Sequence, residues 1–349
     1  MHCVVSVGKL RKKYKARSAE VLQAIGRLGN VLDVEDQAAD DIQAGLARFP
    51  TSQMVCLIGG YDLVPAFRRD NPTAHLDSED DKDIMTDAPY GAAPGEPADE
   101  YAPDRAIGRI PDGARMKADD FLAILESQRR GLITHTLNGT YGEAAAEFHG
   151  AAEYVRKTIT RSRTASLLSP PVNMKKPDPT ALLTGQGRIH ILLHGADVAP
   201  DWEFLWGRGP AKRARYVKAL SAAQVGRCNL DGSVVTFSSC YSAMLDGAHG
   251  RTPRNQIALA CLARGAKLVL GSTRSNWIPT RAPYNVLGPG LVGRFWSELR
   301  KPHATAGAAL VRAKNAFLKH GLAGDELDRP YLLKTVLQAN LYGHPGARL

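Results

Sequence analysis

Arg188-Ile189-His190-Ile191-Leu192-Leu193-His194-Gly195 is the stretch on which the reading of this chain turns. Its near-continuous aliphatic run is the pattern of a strand covered on both faces, and it ends in an imidazole followed by a glycine. A second run of the same kind, Ser233-Val234-Val235-Thr236-Phe237-Ser238-Ser239-Cys240, ends in a thiol. Cys240 follows His194 by 46 residues, which leaves room for one crossover between neighbouring parallel strands. In open α/β sheets the working groups sit just beyond the carboxyl ends of the strands. Both reactive side chains fall there.

A thiol and an imidazole suit acyl transfer. The thiolate attacks a carbonyl, and the imidazole polarises the thiol and protonates the leaving amine. Gly195 has no side chain to block the approach of an oxyanion, and its N–H with that of Cys240 would supply the stabilising donors. Each residue also has a plain structural reading. A lone Cys at a strand end is most often a small buried hydrophobe, and a lone His-Gly is usually a turn.

Working outward, runs at residues 2–7, 53–58 and 266–270 repeat the strand pattern. Helical spacing lies between them. Val21, Ile25 and Leu28 share a face with Ser18 placed to cap, and Ala38, Ile42, Leu46 and Phe49 share another. Ile257, Cys261 and Leu262 precede Gly265, and Leu310, Ala313 and Phe317 precede Gly321. Pro330 opens a last helix expected to run through Leu341. Alternating strands and helices predict an α/β fold with a mainly parallel sheet and helices on both faces. Residues 65–103 are acidic, rich in Pro and Gly and aperiodic, so they read as a long loop of the functional or disordered kind. A helix over residues 116–130 would bridge two subdomains. The expected division is 1–135, an N-terminal α/β subdomain, and 136–349, the catalytic one.

Composition narrows the functional classes. At 349 residues and 44% apolar content the chain can bury a core without staples. No run approaches the roughly 18 apolar residues of a membrane span, and the first residues lack the pattern of a secretory signal. A cytoplasmic protein is the expectation. Cys3, Cys56, Cys228, Cys240 and Cys261 are odd in number and widely spaced, as free thiols in a reducing compartment would be. No metal-binding spacing, phosphate loop or dinucleotide fingerprint occurs, so no metal and no cofactor is expected. The net charge of +10 invites a nucleic-acid partner, but the basic residues are dispersed. Their densest cluster, Lys9, Arg11, Lys12, Lys13, Lys15 and Arg17, reads as a solvated loop or helix start.

The His-Gly and Ser-Cys strand ends resemble those of the caspase-like cysteine peptidases, and further segments resemble the bacterial, gingipain-like branch. These are Cys56-Leu57-Ile58-Gly59-Gly60-Tyr61-Asp62-Leu63-Val64-Pro65 and Thr86-Asp87-Ala88-Pro89-Tyr90, the latter like a Ser-Asp-x-x-Tyr element. Pro103-Asp104-Arg105-Ala106-Ile107-Gly108-Arg109-Ile110-Pro111 is similar to an Ile-Gly-Arg element. Asn255-Gln256-Ile257-Ala258 and Gly265-Ala266-Lys267-Leu268-Val269-Leu270-Gly271-Ser272 resemble the helix and strand after the nucleophile. Leu341-Tyr342-Gly343-His344-Pro345 is like the terminal Gly-Asp-Pro, with His344 in place of Asp.

The resemblance implies a caspase-like fold and a cysteine endopeptidase with a His194–Cys240 dyad. Relatives that cut after Arg place an acid at the base of the primary pocket. Asp99, which precedes Glu100 and Tyr101, is the candidate here, with Asp87 and Asp246 as other acids and Trp277 as a pocket wall. Protein substrates with a basic residue at the cleavage site follow. Arg274 points the other way, toward a pocket for acidic residues. Residues 202–216, with Arg208, Lys212, Arg213 and Arg215, read as an exposed loop at which a partner protease or the enzyme itself could cut a zymogen. The competing reading is a catalytically inactive caspase-fold scaffold for protein interactions.

Overall fold

The computed structural model describes residues 1–93, 101–160, 166–170, 178–198, 201–209, 215–246, 251–321 and 329–349. Its strands are β1 (His2–Val5), β2 (Asn30–Asp33), β3 (Val55–Ile58), β4 (Phe67–Asp70), β5 (Asp83–Thr86), β6 (Ile107–Ile110), β7 (Thr140–Ala145), β8 (Leu167–Ser169), β9 (Arg188–Leu192), β10 (Phe204–Arg208), β11 (Tyr216–Ser221), β12 (Val234–Phe237), β13 (Leu268–Ser272) and β14 (Ala339–Gly343). Among the described residues ten of them form one sheet in the order β2-β1-β3-β6-β14-β13-β12-β9-β7-β8. All neighbours pair in parallel except β13 and β14. The mainly parallel α/β sheet expected from the alternation is therefore present.

Helices cover both faces, and the period of two along each strand decides which face a residue feeds. Val235 and Val269 pack with Leu10, Ile25, Phe121 and Cys261 from helices Val7–Tyr14, Ser18–Gly26, Ala118–Gly131 and Ile257–Ala263. Their neighbours Val234, Leu268 and Leu270 face the opposite way, against Phe295, Trp296, Leu310, Phe317 and Val336 from helices Leu287–Leu299, Ala306–Gly321 and Arg329–Gln338. Strands buried on both faces need apolar residues at every position, which is why these runs stand out in the sequence.

Several boundaries differ from expectation. The last helix stops at Gln338, and residues 339–343 become β14, because pairing between β6 and β13 satisfies both backbone edges in the middle of the sheet. Ser18 does not cap: it is the first residue of its helix, which continues from a short turn of 3-10 helix at Lys15–Arg17. The basic cluster is a true helix, Val7–Tyr14, capped by Ser6, with Arg11, Lys12 and Lys13 in the last turn where the helix dipole favours cations. The described residues of the segment 202–216 do not form an open loop. They pair as antiparallel β10 and β11, with Arg208 opposite Tyr216 in the ladder.

The described part of the acidic stretch also carries regular structure. Antiparallel β4 and β5 sit within it, and its charge is used internally. Asp80 is buried against Lys334, and Arg274 is bound by Asp83 and by Asp246. Arg109 is fully buried, donates to both oxygens of Asp87 and also reaches the carbonyls of Gly59 and Val64. Tyr90 closes the knot by donating to the Pro65 carbonyl. The Thr-Asp-x-x-Tyr and Ile-Gly-Arg segments are thus two halves of one structural clamp. At the C-terminus His344 Nδ1 accepts the Gly346 N–H at 3.0 Å, the bond an Asp side chain could equally accept, and burial pushes its pKa down to about 4.

Candidate active site

Four adjacent parallel strands deliver four residues to one edge of the sheet, in strand order. β12 and β9 are in register, with Phe237 opposite Ile191, so Cys240 and His194 each lie three residues beyond a matched pair. β7 lies on the far side of β9, with Ala144 opposite Leu192, and its extension carries Glu147. β13 lies on the far side of β12, and its extension carries Asn276. The sequence Asn276, Cys240, His194, Glu147 therefore runs across the carboxyl ends of β13, β12, β9 and β7.

His194 is held from several directions. Its Nε2 lies 2.5 Å from Glu147 Oε1, and its backbone exchanges two hydrogen bonds with Trp206 on β10, at 2.9 and 2.8 Å. Phe148 packs against the imidazole at 4.8 Å, and Tyr216 meets it edge to face at 5.0 Å. A carboxylate can only accept, so Nε2 carries the proton and Nδ1 keeps its lone pair. Burial lowers the pKa of His194. Glu147 works against that by favouring the imidazolium, and Arg208, 3.3 Å from the other Glu147 oxygen, weakens the effect. The ring is neutral at rest, with its basic nitrogen free.

Cys240 is the one half-buried cysteine; Cys3, Cys56, Cys228 and Cys261 are buried, and none of the five is in a disulfide. Burial raises the Cys240 pKa, and backbone N–H groups of Asn276, 3.1 Å from Sγ, and of Gly195 pull it back down. Gly195 is required sterically, since a Cβ there would run into the Cys240 carbonyl oxygen. Tyr241, in a left-handed conformation, and Ser275 both donate to Asp81, which ties the segment carrying the thiol to the segment carrying Asn276.

The other expected site residues are distributed unevenly. Trp277 follows Asn276 directly, is half-buried and meets Tyr331 edge to face at 5.3 Å. Asp87 is taken up by Arg109, and Asp246 by Arg274, so neither is a free pocket acid. The same contacts bury Arg274, which removes it as an exposed receptor for acidic residues. Asp99, Glu100, Lys212 and Arg213 lie outside the described residues. Arg208 is committed to Glu147 and stacks over Tyr216, while Arg215 is exposed at the described end of the hairpin. A pocket of about 270 Å³ opens beside His194, lined by Gly195, Ala196, Asp201, Trp206 and Tyr216.

Glu147 was not legible as a site residue. Its strand, Thr-Tyr-Gly-Glu-Ala-Ala, has no branched run, and only the pairing with β9 brings its end beside His194. Among the described residues no group of three or more His, Cys, Asp and Glu side chains is arranged to hold a metal ion, and no helix is long and apolar enough to cross a membrane.

Comparison with solved structures gives the same architecture. The Arg-specific cysteine proteinase gingipain R (RgpB) matches with a TM-score of 0.64 at 14% identity, over 100% of this chain and 78% of that one. The chain has the fold of gingipain R. The complex of Porphyromonas gingivalis RgpB pro- and mature domains matches at a TM-score of 0.65 and 14% identity, covering 100% of this chain and 79% of the other. A structure described only as a protease matches at 0.65 and 12% identity, over 99% and 78%. No protein-family model matches the sequence, and no curated protein matches it. The gingipain-like fold expected from the resemblance is thus found in three dimensions, at an identity that speaks for fold alone.

Proposed function

We propose that the protein is a cysteine endopeptidase in which Cys240 is the nucleophile and His194 the general base and acid. The observation that carries this reading is the delivery of Cys240, His194 and Glu147 by three neighbouring parallel strands in register. His194 Nδ1 takes the thiol proton and the sulfur attacks the peptide carbonyl, forming an S–C bond. The oxyanion gathers at the N–H groups of Gly195 and Cys240. The tetrahedral adduct collapses as Nδ1 returns the proton to the leaving amine. Water, activated by the same nitrogen, then hydrolyses the thioester. Glu147 orients the ring, fixes its tautomer and stabilises the imidazolium formed in both halves, the part a carboxylate plays beside histidine in serine proteases.

For specificity we propose a basic residue before the scissile bond, with Asp99 as its acid and Trp277 as a wall. The fold neighbour's own Arg specificity supports this. The internal neutralisation of the acidic segment does not, since Asp80, Asp83 and Asp87 already face cations. Activation by cutting the β10–β11 hairpin is consistent with the exposure of Arg215. Digestion of an unbiased peptide library, read by mass spectrometry for the wild type and for Asp99→Asn, tests this specificity. Cleavage after Arg or Lys that falls by about a hundredfold in Asp99→Asn agrees with it. Cleavage after Asp or apolar residues removes it.

A further inference from the structure

On the face of the sheet away from the Leu10 and Phe121 core, helix Ala306–Gly321 lines, with β14 and the Asp87 turn, a partly open cavity of about 30 Å³. That is room for two or three water-sized occupants, at roughly 10–15 Å³ each. Three nitrogen-bearing side chains in its wall, Lys314, Asn340 and Arg105, are each more than nine-tenths buried. Lys314 has no hydrogen-bond or ion-pair partner among the described residues. Asn340 Oδ1 accepts the Asp87 N–H, which fixes the amide orientation and leaves Nδ2 as the donor, and this Nδ2 is buried without a partner. Arg105 Nε is likewise unpartnered among the described residues, where its guanidinium holds only the Phe49 carbonyl through another nitrogen.

The one carboxylate in the wall, Asp87, accepts from Arg109 through both oxygens and stands beyond ion-pair reach of Lys314. Among the described residues, Lys314, Arg105 and Arg109 thus face a single negative charge. Orphaned donors and surplus positive charge at low dielectric are each costly, and a small anion relieves both. A water could accept two of these hydrogen bonds but would leave the charge uncompensated. We propose that this cavity binds one small monoanion of the halide class, held by Lys314 and Asn340.

Burial brings the Lys314 pKa down to about 7, against the pull of Asp87. An anion beside it favours the ammonium, so anion binding should strengthen as pH falls through neutrality, with Asp87 and the guanidinium groups of Arg105 and Arg109 the other charged groups that face it. The direct test is a crystal of the wild-type protein soaked in sodium bromide. An anomalous bromine peak in this cavity, in contact with Lys314 Nζ and Asn340 Nδ2, is expected. A parallel thermal melt compares sodium chloride with sodium gluconate at equal ionic strength. The expected result is a Tm higher by on the order of 2–4 °C in chloride, a larger gap at pH 6 than at pH 8, and no gap in Lys314→Met. A cavity holding water alone, or coincident chloride and gluconate melts of the wild type, overturns the proposal. The bromide map needs no variant, so it decides the matter even if Lys314→Met fails to fold.

Discussion

His194 Nε2 and Glu147 Oε1 stand 2.5 Å apart, and the two residues come from the ends of neighbouring parallel strands 47 positions apart in sequence. The contact determines which imidazole nitrogen is free, and therefore which one can serve a thiol.

Glu147→Gln should keep the fold and lower kcat by roughly a hundredfold or more. A structural role alone would not move the pH profile. Glu147 raises the His194 pKa against burial, so its loss should shift the acid limb of the kcat/KM profile to lower pH. A variant with wild-type kcat and an unmoved limb would exclude Glu147 as a positioning residue.

Thiol alkylation followed by peptide mapping should modify Cys240 ahead of the other four cysteines. Cys240 keeps surface and two N–H groups near its sulfur, whereas burial pushes Cys3 up to about 12 and holds Cys56 and Cys261 well above the ordinary thiol range. Equal labelling of Cys228 and Cys240 would contradict the assignment.

The sequence carried the central sheet well where strands are buried on both faces, because such strands must be apolar at every position. β3, β9, β12 and β13 are of this kind. It carried β7 and β14 poorly. One, Thr-Tyr-Gly-Glu-Ala-Ala, has no run of branched apolar residues, and the other reads as helix until the partner strands on either side claim its backbone. The thiol and imidazole were legible because each ends such a run. Glu147, Asn276 and the Asp87–Arg109 clamp were not, since they depend on which strands become neighbours.

Lys334→Met should destabilise the protein by about 3–5 kcal/mol in chemical denaturation, because it leaves Asp80 buried without its cation. Burial pushes the Asp80 pKa up, but the bonds from Lys334, Ser275 and Thr73 prevail and hold it well below the usual carboxylate range. In the wild type this stability is present above the unfolded Asp pKa of about 4 and is lost as pH falls below it. A loss under about 1 kcal/mol for Lys334→Met would show that the pair is not a buried one.

His344 is held neutral, its pKa lowered to about 4, while in the unfolded chain it titrates near 6.5. The unfolded state binds more protons between those values, so stability falls as pH drops from about 6.5 to 4. His344→Asn can keep the bond to the Gly346 N–H and removes this titration. Its urea midpoint should vary less over that window than the wild type's, with the remaining slope partly due to His190, whose pKa burial lowers to about 3. Equal slopes for the two proteins would refute the assignment.

The most direct test of the central claim is peptide-library cleavage by the purified wild type beside Cys240→Ala, with matched circular dichroism and thermal melts. The expected result is sequence-selective cleavage by the wild type and none above background by a folded Cys240→Ala. Equal cleavage by both proteins, or none by a folded wild type that has also been nicked in the β10–β11 hairpin, would contradict a peptidase acting through Cys240.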